Sequence, residues 1–234
     1  MRKKPVLPYL EQLWETDFSL CALLVFLLIE IFFLYPLGQT GSIKFLTVIF
    51  FSLILISGAI TASRSRILRS LVFFWGLLTF VFLWVRYLFP HHLLILINTF
   101  LAFFYLVLLI LLILGQALRE GDTSSRRIMG AVAAYLLLGL MWSLAYYAIA
   151  LNIPGAFKGL EAPAGGDHDL LRSHFQYFSF TVLTTVGFGD IVPVHPIARM
   201  AVVLEGVVGQ LFPAILIARL VSLQVQSKKE RKKS

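Results

Sequence analysis

Charged residues are scarce in this sequence. Only 14% of its 234 residues are Asp, Glu, Lys or Arg, whereas 59% are hydrophobic, and the mean hydropathy is +0.88. Soluble domains carry about 25% charged residues. The composition therefore excludes an ordinary soluble domain and predicts an integral membrane protein. The net charge of +8 is interpreted as a topology signal rather than a nucleic-acid surface, because the basic residues lie beside apolar runs.

Cysteine is nearly absent, and no arrangement of catalytic residues appears in the sequence. The single cysteine, Cys21, lies in an apolar run, so the chain forms no intrachain disulfide. No combination of nucleophile, base and metal ligands has the spacing of a known site, so we expect no enzyme activity and no cofactor. The first apolar run lacks a following small-residue cleavage site, so we expect it to remain as a span.

Six apolar runs are long enough to cross a bilayer, which takes about 20 residues in a helix. They are residues 18–37, 43–62, 68–89, 93–114, 128–151 and 197–223. A further run, 173–183, is too short to span and predicts a re-entrant helix. The predicted fold is an all-α membrane protein with six transmembrane helices per chain and one re-entrant helix.

Basic residues indicate how these spans are oriented. The clusters at 2–4, 64–69, 119–127 and 228–233 all fall on the same side of six spans. By the positive-inside rule, we expect a multi-pass protein of the plasma membrane with both termini in the cytoplasm. The tail at 228–233 is expected to contact anionic lipid.

A short motif, TTVGFGD at residues 184–190, follows the re-entrant run. A pore that strips water from a cation must offer replacement oxygens, and backbone carbonyls do so only if successive residues turn them to one side. That geometry needs some residues with φ > 0, which glycine adopts at little cost, so Gly187 and Gly189 fit. Thr185 adds a hydroxyl at the inner end. An ordinary glycine turn is disfavoured by the full motif and its flanking apolar runs.

The sequence TVGFG resembles the selectivity filter of potassium channels, and the resemblance extends over residues 128–223. It implies an outer helix, a turret at 152–172, a pore helix, the filter and an inner helix. Since the chain has a single filter loop, the resemblance also implies a homotetramer. The implied potassium ligands are Thr185, Val186, Gly187 and Phe188, with Gly189 completing the filter, and Thr181, Thr184 and Asp190 are the implied filter supports.

This interpretation divides the chain into five parts. They are a cytoplasmic segment 1–17, a four-helix module 18–115, a linker 116–127 with a flexible part at 121–125, a pore module 128–223, and a basic tail 224–234. The turret is acidic through Glu161, Asp167 and Asp169, which either enrich cations at the mouth or form an ordinary solvated loop.

Two residues depart from the common potassium-channel pattern. Phe188 replaces the usual tyrosine and has no hydroxyl. Phe178 is interpreted as standing where many relatives have a tryptophan whose N–H contacts the filter aspartate. Because of these departures, we expect the rigidity of the filter to differ from that of the family, whereas its selectivity is expected to be kept.

The inner helix carries candidate gating residues. Gly209 aligns with the hinge glycine of the family, and Gln210, Pro213 and Ile217 are assigned to the pore face, with Ile217 as a hydrophobic gate. Packing of small residues between helices is the alternative for these positions. Glu205 is an acid inside a span, for which a structural hydrogen bond behind the filter is expected.

The fourth apolar run, 93–114, contains no charged residue, so it cannot carry gating charge in the usual way. Glu30 and Arg86 both lie towards the outer side and could pair, although we expect Arg86 to extend outwards to water. The four-helix module is therefore expected to be a structural jacket around the pore.

Taken together, the resemblance implies a potassium-selective channel that conducts passively and is not conventionally voltage-gated. Its expected partners are its own copies, membrane lipids and potassium ions, and no nucleic acid. Two alternatives remain open: a non-selective cation channel, and a non-conducting membrane scaffold or accessory subunit.

Overall fold

The structure is a computed structural model that describes residues 20–34, 41–61, 66–89, 91–117, 125–160 and 168–233. The expected N-terminal segment 1–17, the flexible part of the linker up to residue 124, and Glu161 and Asp167 of the turret lie outside these residues. The helices are α1 (20–29, continued by a π-helical turn Glu30–Leu34), α2 (Gly41–Thr61), α3 (Arg66–Leu88), α4 (His92–Ala117), α5 (Ser125–Asn152), α6 (His168–Leu183) and α7 (Pro196–Lys233). Two short strands, β1 (Phe157–Lys158) and β2 (Val192–Pro193), pair in antiparallel register.

Four helical segments among the described residues are long and apolar enough to cross a membrane. They are Ser70–Leu88, His92–Ala117, Arg127–Asn152 and Pro196–Arg219. The first two expected spans appear as shorter apolar helices, Leu20–Phe33 and Phe45–Ala59. The fold is thus that of a mostly helical membrane protein with four candidate spans, and the expectation of six spans stays a prediction.

The larger core lies among α1 to α5, and Tyr105 of α4 is fully buried in it. The Tyr105 hydroxyl donates a hydrogen bond to the carbonyl of Leu55 at 2.6 Å. The glycine at position 58 lets α2 approach α4 closely, since a Cβ there would lie 2.6 Å from Leu109 Cδ2. Helix α4 also packs against both α3 and α5, so it connects the four-helix module to the second half of the chain.

The smaller core is aromatic and lies where α5, α6 and the two strands meet. Phe157 of β1 packs on Phe175 of α6 with ring centroids 4.8 Å apart, and Tyr146 of α5 packs on Phe178 at 5.3 Å. Aromatic pairs of this kind stabilise by about 0.5–1.5 kcal/mol beyond the area they bury. This cluster fixes the orientation of α6 relative to α5.

Two expectations about this region are wrong. The re-entrant helix begins at His168 rather than at residue 173, so the last five residues of the expected turret are helical and Asp169 lies in the first turn of α6. The acidic side chain suits that position because the amino end of a helix carries a partial positive charge. The β1–β2 pair was also not expected in an all-α fold.

Candidate functional site

Residues 184–190, called here the filter segment, leave the carboxyl end of α6 and are all exposed in the single chain. The amides of Val186 and Gly187 both donate to the carbonyl of Thr181, at 2.9 and 3.0 Å. One carbonyl in the last turn of α6 therefore holds the start of the segment. The negative end of the α6 dipole points towards the same place, where it favours a cation.

The backbone of the filter segment alternates in handedness. Thr185, Gly187 and Gly189 have φ of 61°, 52° and 79°, whereas Val186 and Phe188 do not have positive φ. The expected positive φ at the two glycines is confirmed, and such alternation is what a row of carbonyls on one side requires. Positive φ at Thr185 was not foreseen. A β-branched residue in this conformation is a genuine outlier, and strain of this kind clusters at functional sites.

The hydroxyls expected to support the filter segment point elsewhere. Thr181 Oγ1 donates to the carbonyl of Phe178 at 2.8 Å, and Thr184 Oγ1 donates to that of Phe180 at 2.6 Å. Both bonds lie within α6 and its end. The contact from Thr181 to the filter segment is made by its carbonyl instead.

Asp190 is supported by a residue that the sequence analysis passed over. The Tyr177 hydroxyl forms a hydrogen bond with the Asp190 side chain. The Tyr177 ring also stacks on Phe188, with centroids 6.3 Å apart and planes at 2°. Phe178, which was interpreted as standing where many relatives have a tryptophan that contacts the aspartate, is buried in the aromatic core. The contact with Asp190 comes instead from the preceding residue, Tyr177, and its polar aromatic side chain next to Phe178 was an available signal.

The outer end of the filter segment is held by the loop that follows α5. Strand β1 pairs with β2, which comes directly after the segment, through Phe157 opposite Pro193. At Gly159, with φ of 86°, a Cβ would lie 1.7 Å from the carbonyl oxygen of Asp190. This glycine is therefore required both by its conformation and by the close approach of the two backbones.

Gly209 of α7 lies against the carboxyl end of α6. A Cβ at this position would lie 2.1 Å from the carbonyl oxygen of Leu183. The Tyr135 hydroxyl donates to that same carbonyl at 3.0 Å. These contacts support the packing alternative for Gly209. Helix α7 is described as one continuous α-helix through Pro213, so the hinge stays a prediction.

The expected pore face of α7 is open in the single chain. Gln210 is exposed, Pro213 is half-buried, and Ile217 is 61% exposed. No other part of the described protomer covers Ile217, so its assignment as a hydrophobic gate stays a prediction.

Glu205 makes the structural hydrogen bonds that were expected of it. It is fully buried and accepts hydrogen bonds from the Tyr146 hydroxyl and, at 2.6 Å, from that of Ser179. Ser179 Oγ also lies 2.7 Å from the carbonyl of Gly139. One carboxyl group thus connects α5, α6 and α7 behind the filter segment.

Arg86 does not extend outwards to water as expected. It is 8% exposed and forms an ion pair with Asp169, with Nη2 and Oδ1 2.9 Å apart. The charge that interacts with Glu30 is that of Arg172. The outer end of α3 is therefore joined to the beginning of α6.

Comparison with known proteins bears on the same part of the chain. Residues 134–226, from α5 through the filter segment to α7, match a family described as "Ion channel". The match supports an ion channel family. It implies a transport protein of the membrane rather than an enzyme.

A curated relative aligns with part of the chain. Protein LctB from Bacillus caldotenax is 29% identical over 87 residues, which are 37% of this chain and 64% of that protein. The chain therefore matches less than two thirds of that relative's length. No solved structure matches the chain.

Proposed function

We propose that the protein is a potassium-selective channel in which the filter segments of four copies surround one ion path. The observation that carries the proposal is the alternation of positive φ at Thr185, Gly187 and Gly189 in a segment that follows a re-entrant helix. Successive carbonyls turned to one side would replace the water of a potassium ion. The ligands would come from Thr185, Val186, Gly187 and Phe188.

The exposed surface of the protomer supports the proposed assembly. Val186 and Phe188 are 55% and 70% exposed, and Val203 and Ile217 on α7 are 60% and 61% exposed. One protomer offers one wall of an ion path, and a closed ring of four with cyclic symmetry completes it. In that ring the exposed apolar face of α7 would contact the other copies.

Recordings from the purified protein in planar bilayers would test this function. With potassium on one side and sodium on the other, we expect a reversal potential close to the potassium equilibrium value. A reversal potential near zero would establish the non-selective cation channel instead. Absence of single-channel events from a preparation shown to be tetrameric would favour a scaffold or accessory subunit.

Native mass spectrometry in detergent would test the ring separately. A tetramer is the expected species. An active preparation that contains only monomers and dimers would contradict the proposed assembly.

A further inference from the structure

Four charged side chains meet between the four-helix module and the start of α6. They are Glu30 at the end of α1, Arg86 near the end of α3, and Asp169 and Arg172 in α6. Glu30 is 4% exposed and Arg86 is 8% exposed, whereas Asp169 and Arg172 are half-buried, so one side of this charge cluster is removed from water. It contains two acids and two bases, which lowers the cost of burying them.

The contacts within the charge cluster cross from one half of the chain to the other. Arg86 Nη2 lies 2.9 Å from Asp169 Oδ1, across 83 residues of sequence. The Arg172 guanidinium interacts with Glu30, Arg86 and Asp169, and it lies over the ring of Phe51 in α2 at 4.9 Å. Helices α2 and α3 thereby contact α6, and Glu30 of α1 interacts electrostatically with Arg172.

The cluster is charged but incompletely hydrogen-bonded. Among the described residues, Glu30 Oε2 and Arg86 Nη1 are buried without a hydrogen-bond partner. Removal of one charge from a buried pair leaves the other uncompensated. A substitution that removes one of these charges is therefore expected to disturb the packing of α6 on the four-helix module.

Helix α6 connects the cluster with the filter segment. Asp169 lies in its first turn, and the carbonyl of Thr181 in its last turn accepts from Val186 and Gly187. Helix α6 has 16 residues, and if it moves as a rigid body a displacement at its beginning would also move its end.

We infer that Arg86 and Asp169 are positioning residues for the filter segment, so that the four-helix module sets the conductive state of the pore through α6. The inference rests on the proposed channel function and gives the four-helix module a role beyond that of a jacket. The two residues touch no ion. They act through the position of α6.

Charge exchange in the full-length reconstituted protein would test this inference. We expect Arg86→Asp and Asp169→Arg each to lower the open probability about tenfold, and the double exchange to restore most of it. Asp169→Asn is a milder variant that keeps the shape of a half-exposed side chain, and we expect a smaller loss in the same direction. Recovery in the double variant is something that a general loss of packing would not produce.

A matched control separates position from charge. His92→Asp makes the outer face more negative, as Arg86→Asp does, and alters an exposed residue at the start of α4 outside the cluster. We expect it to leave the open probability within about twofold of the unmodified protein. If it reproduces the effect of Arg86→Asp, or if the double exchange restores nothing, the inference is overturned.

A second readout does not depend on conduction. Hydrogen exchange of the amides of Val186 and Gly187 should speed up about tenfold in each single variant and return in the double exchange. If the unmodified protein carries no current, the proposed function fails while this measurement still decides the inference. Unchanged exchange in both single variants would refute the coupling.

Discussion

The backbone conformation of Gly187 in the proposed ion path favours glycine over any other residue. Its φ is 52°, and no atom of the protomer lies within 4 Å of the place where a Cβ would be. Alanine would thus be penalised by backbone conformation alone, at about 1–2 kcal/mol per copy. We expect Gly187→Ala to lower the potassium-to-sodium permeability ratio at least about tenfold, as measured by reversal potentials.

Gly155 provides a matched control for that substitution. It also has positive φ, at 79°, with no atom near its Cβ position, but it lies in the loop after α5. Gly155→Ala should cost similar stability and leave selectivity unchanged. Unaltered selectivity in Gly187→Ala would count heavily against the assignment of the filter.

The role of the Tyr177 hydroxyl at the filter segment can be tested by removing that one oxygen. Tyr177→Phe keeps the ring that stacks on Phe188 and removes the hydroxyl that bonds to Asp190. Hydrogen bonds to charged groups contribute about 1.5–3 kcal/mol, and less when exposed to water. We expect the current to decay about fivefold faster during sustained opening. Tyr87→Phe, on an exposed site of α3, should leave the decay unchanged, and an equal change in both variants would exclude this role.

At the scale of helices, substitutions at two glycines of α7 distinguish a packing role of Gly209 from a hinge role. A Cβ at Gly209 would lie 2.1 Å from a backbone oxygen of α6, whereas at Gly206 no atom lies within 4 Å. Gly209→Ala should lower the thermal stability of the assembly, since overpacking costs about 1–3 kcal/mol per site. Gly206→Ala should be neutral or stabilising by up to about 1 kcal/mol through helix propensity. Equal stability of the two variants, together with altered gating in Gly209→Ala, would instead support the hinge.

The helices could be predicted from the sequence because apolar backbone in a membrane must satisfy its hydrogen bonds internally. The start of α6 could not be found in this way, since its first turn is polar. Asp169 at that point was an available signal for the amino end of a helix. Strands of two residues, such as β1 and β2, carry no periodicity that a sequence could show.

The filter segment was predicted from its resemblance to the selectivity filter of potassium channels, and the chemistry of carbonyl ligands explains only why glycines fit there. The supporting contacts were not, since they depend on how helices meet in three dimensions. The ion pair between Arg86 and Asp169 joins residues that are 83 positions apart, and no local pattern specifies it. The same applies to Glu205, for which a hydrogen bond was foreseen but its partners Tyr146 and Ser179 were not.

At the scale of the whole molecule, the placement of charge predicts how the protein responds to voltage. Each elementary charge that crosses the field contributes about 2.3 kcal/mol per 100 mV. Helix α4 contains no Asp, Glu, Lys or Arg, and Arg86 is held in an ion pair with Asp169 of α6. Movement of the four-helix module would therefore transfer little net charge. We expect open probability to change only weakly with voltage, apart from effects of ions in the filter segment itself.

A conductance–voltage curve with equal potassium on both sides would measure this response. The Arg86→Gln variant serves as the comparison, because it removes a buried charge of the four-helix module without adding another. A weak slope in the unmodified protein and in Arg86→Gln is the expected result. A slope that requires many elementary charges per tetramer, and that persists in Arg86→Gln, would show that gating charge lies elsewhere in the chain. In that case the four-helix module would have to move charges other than those of the cluster.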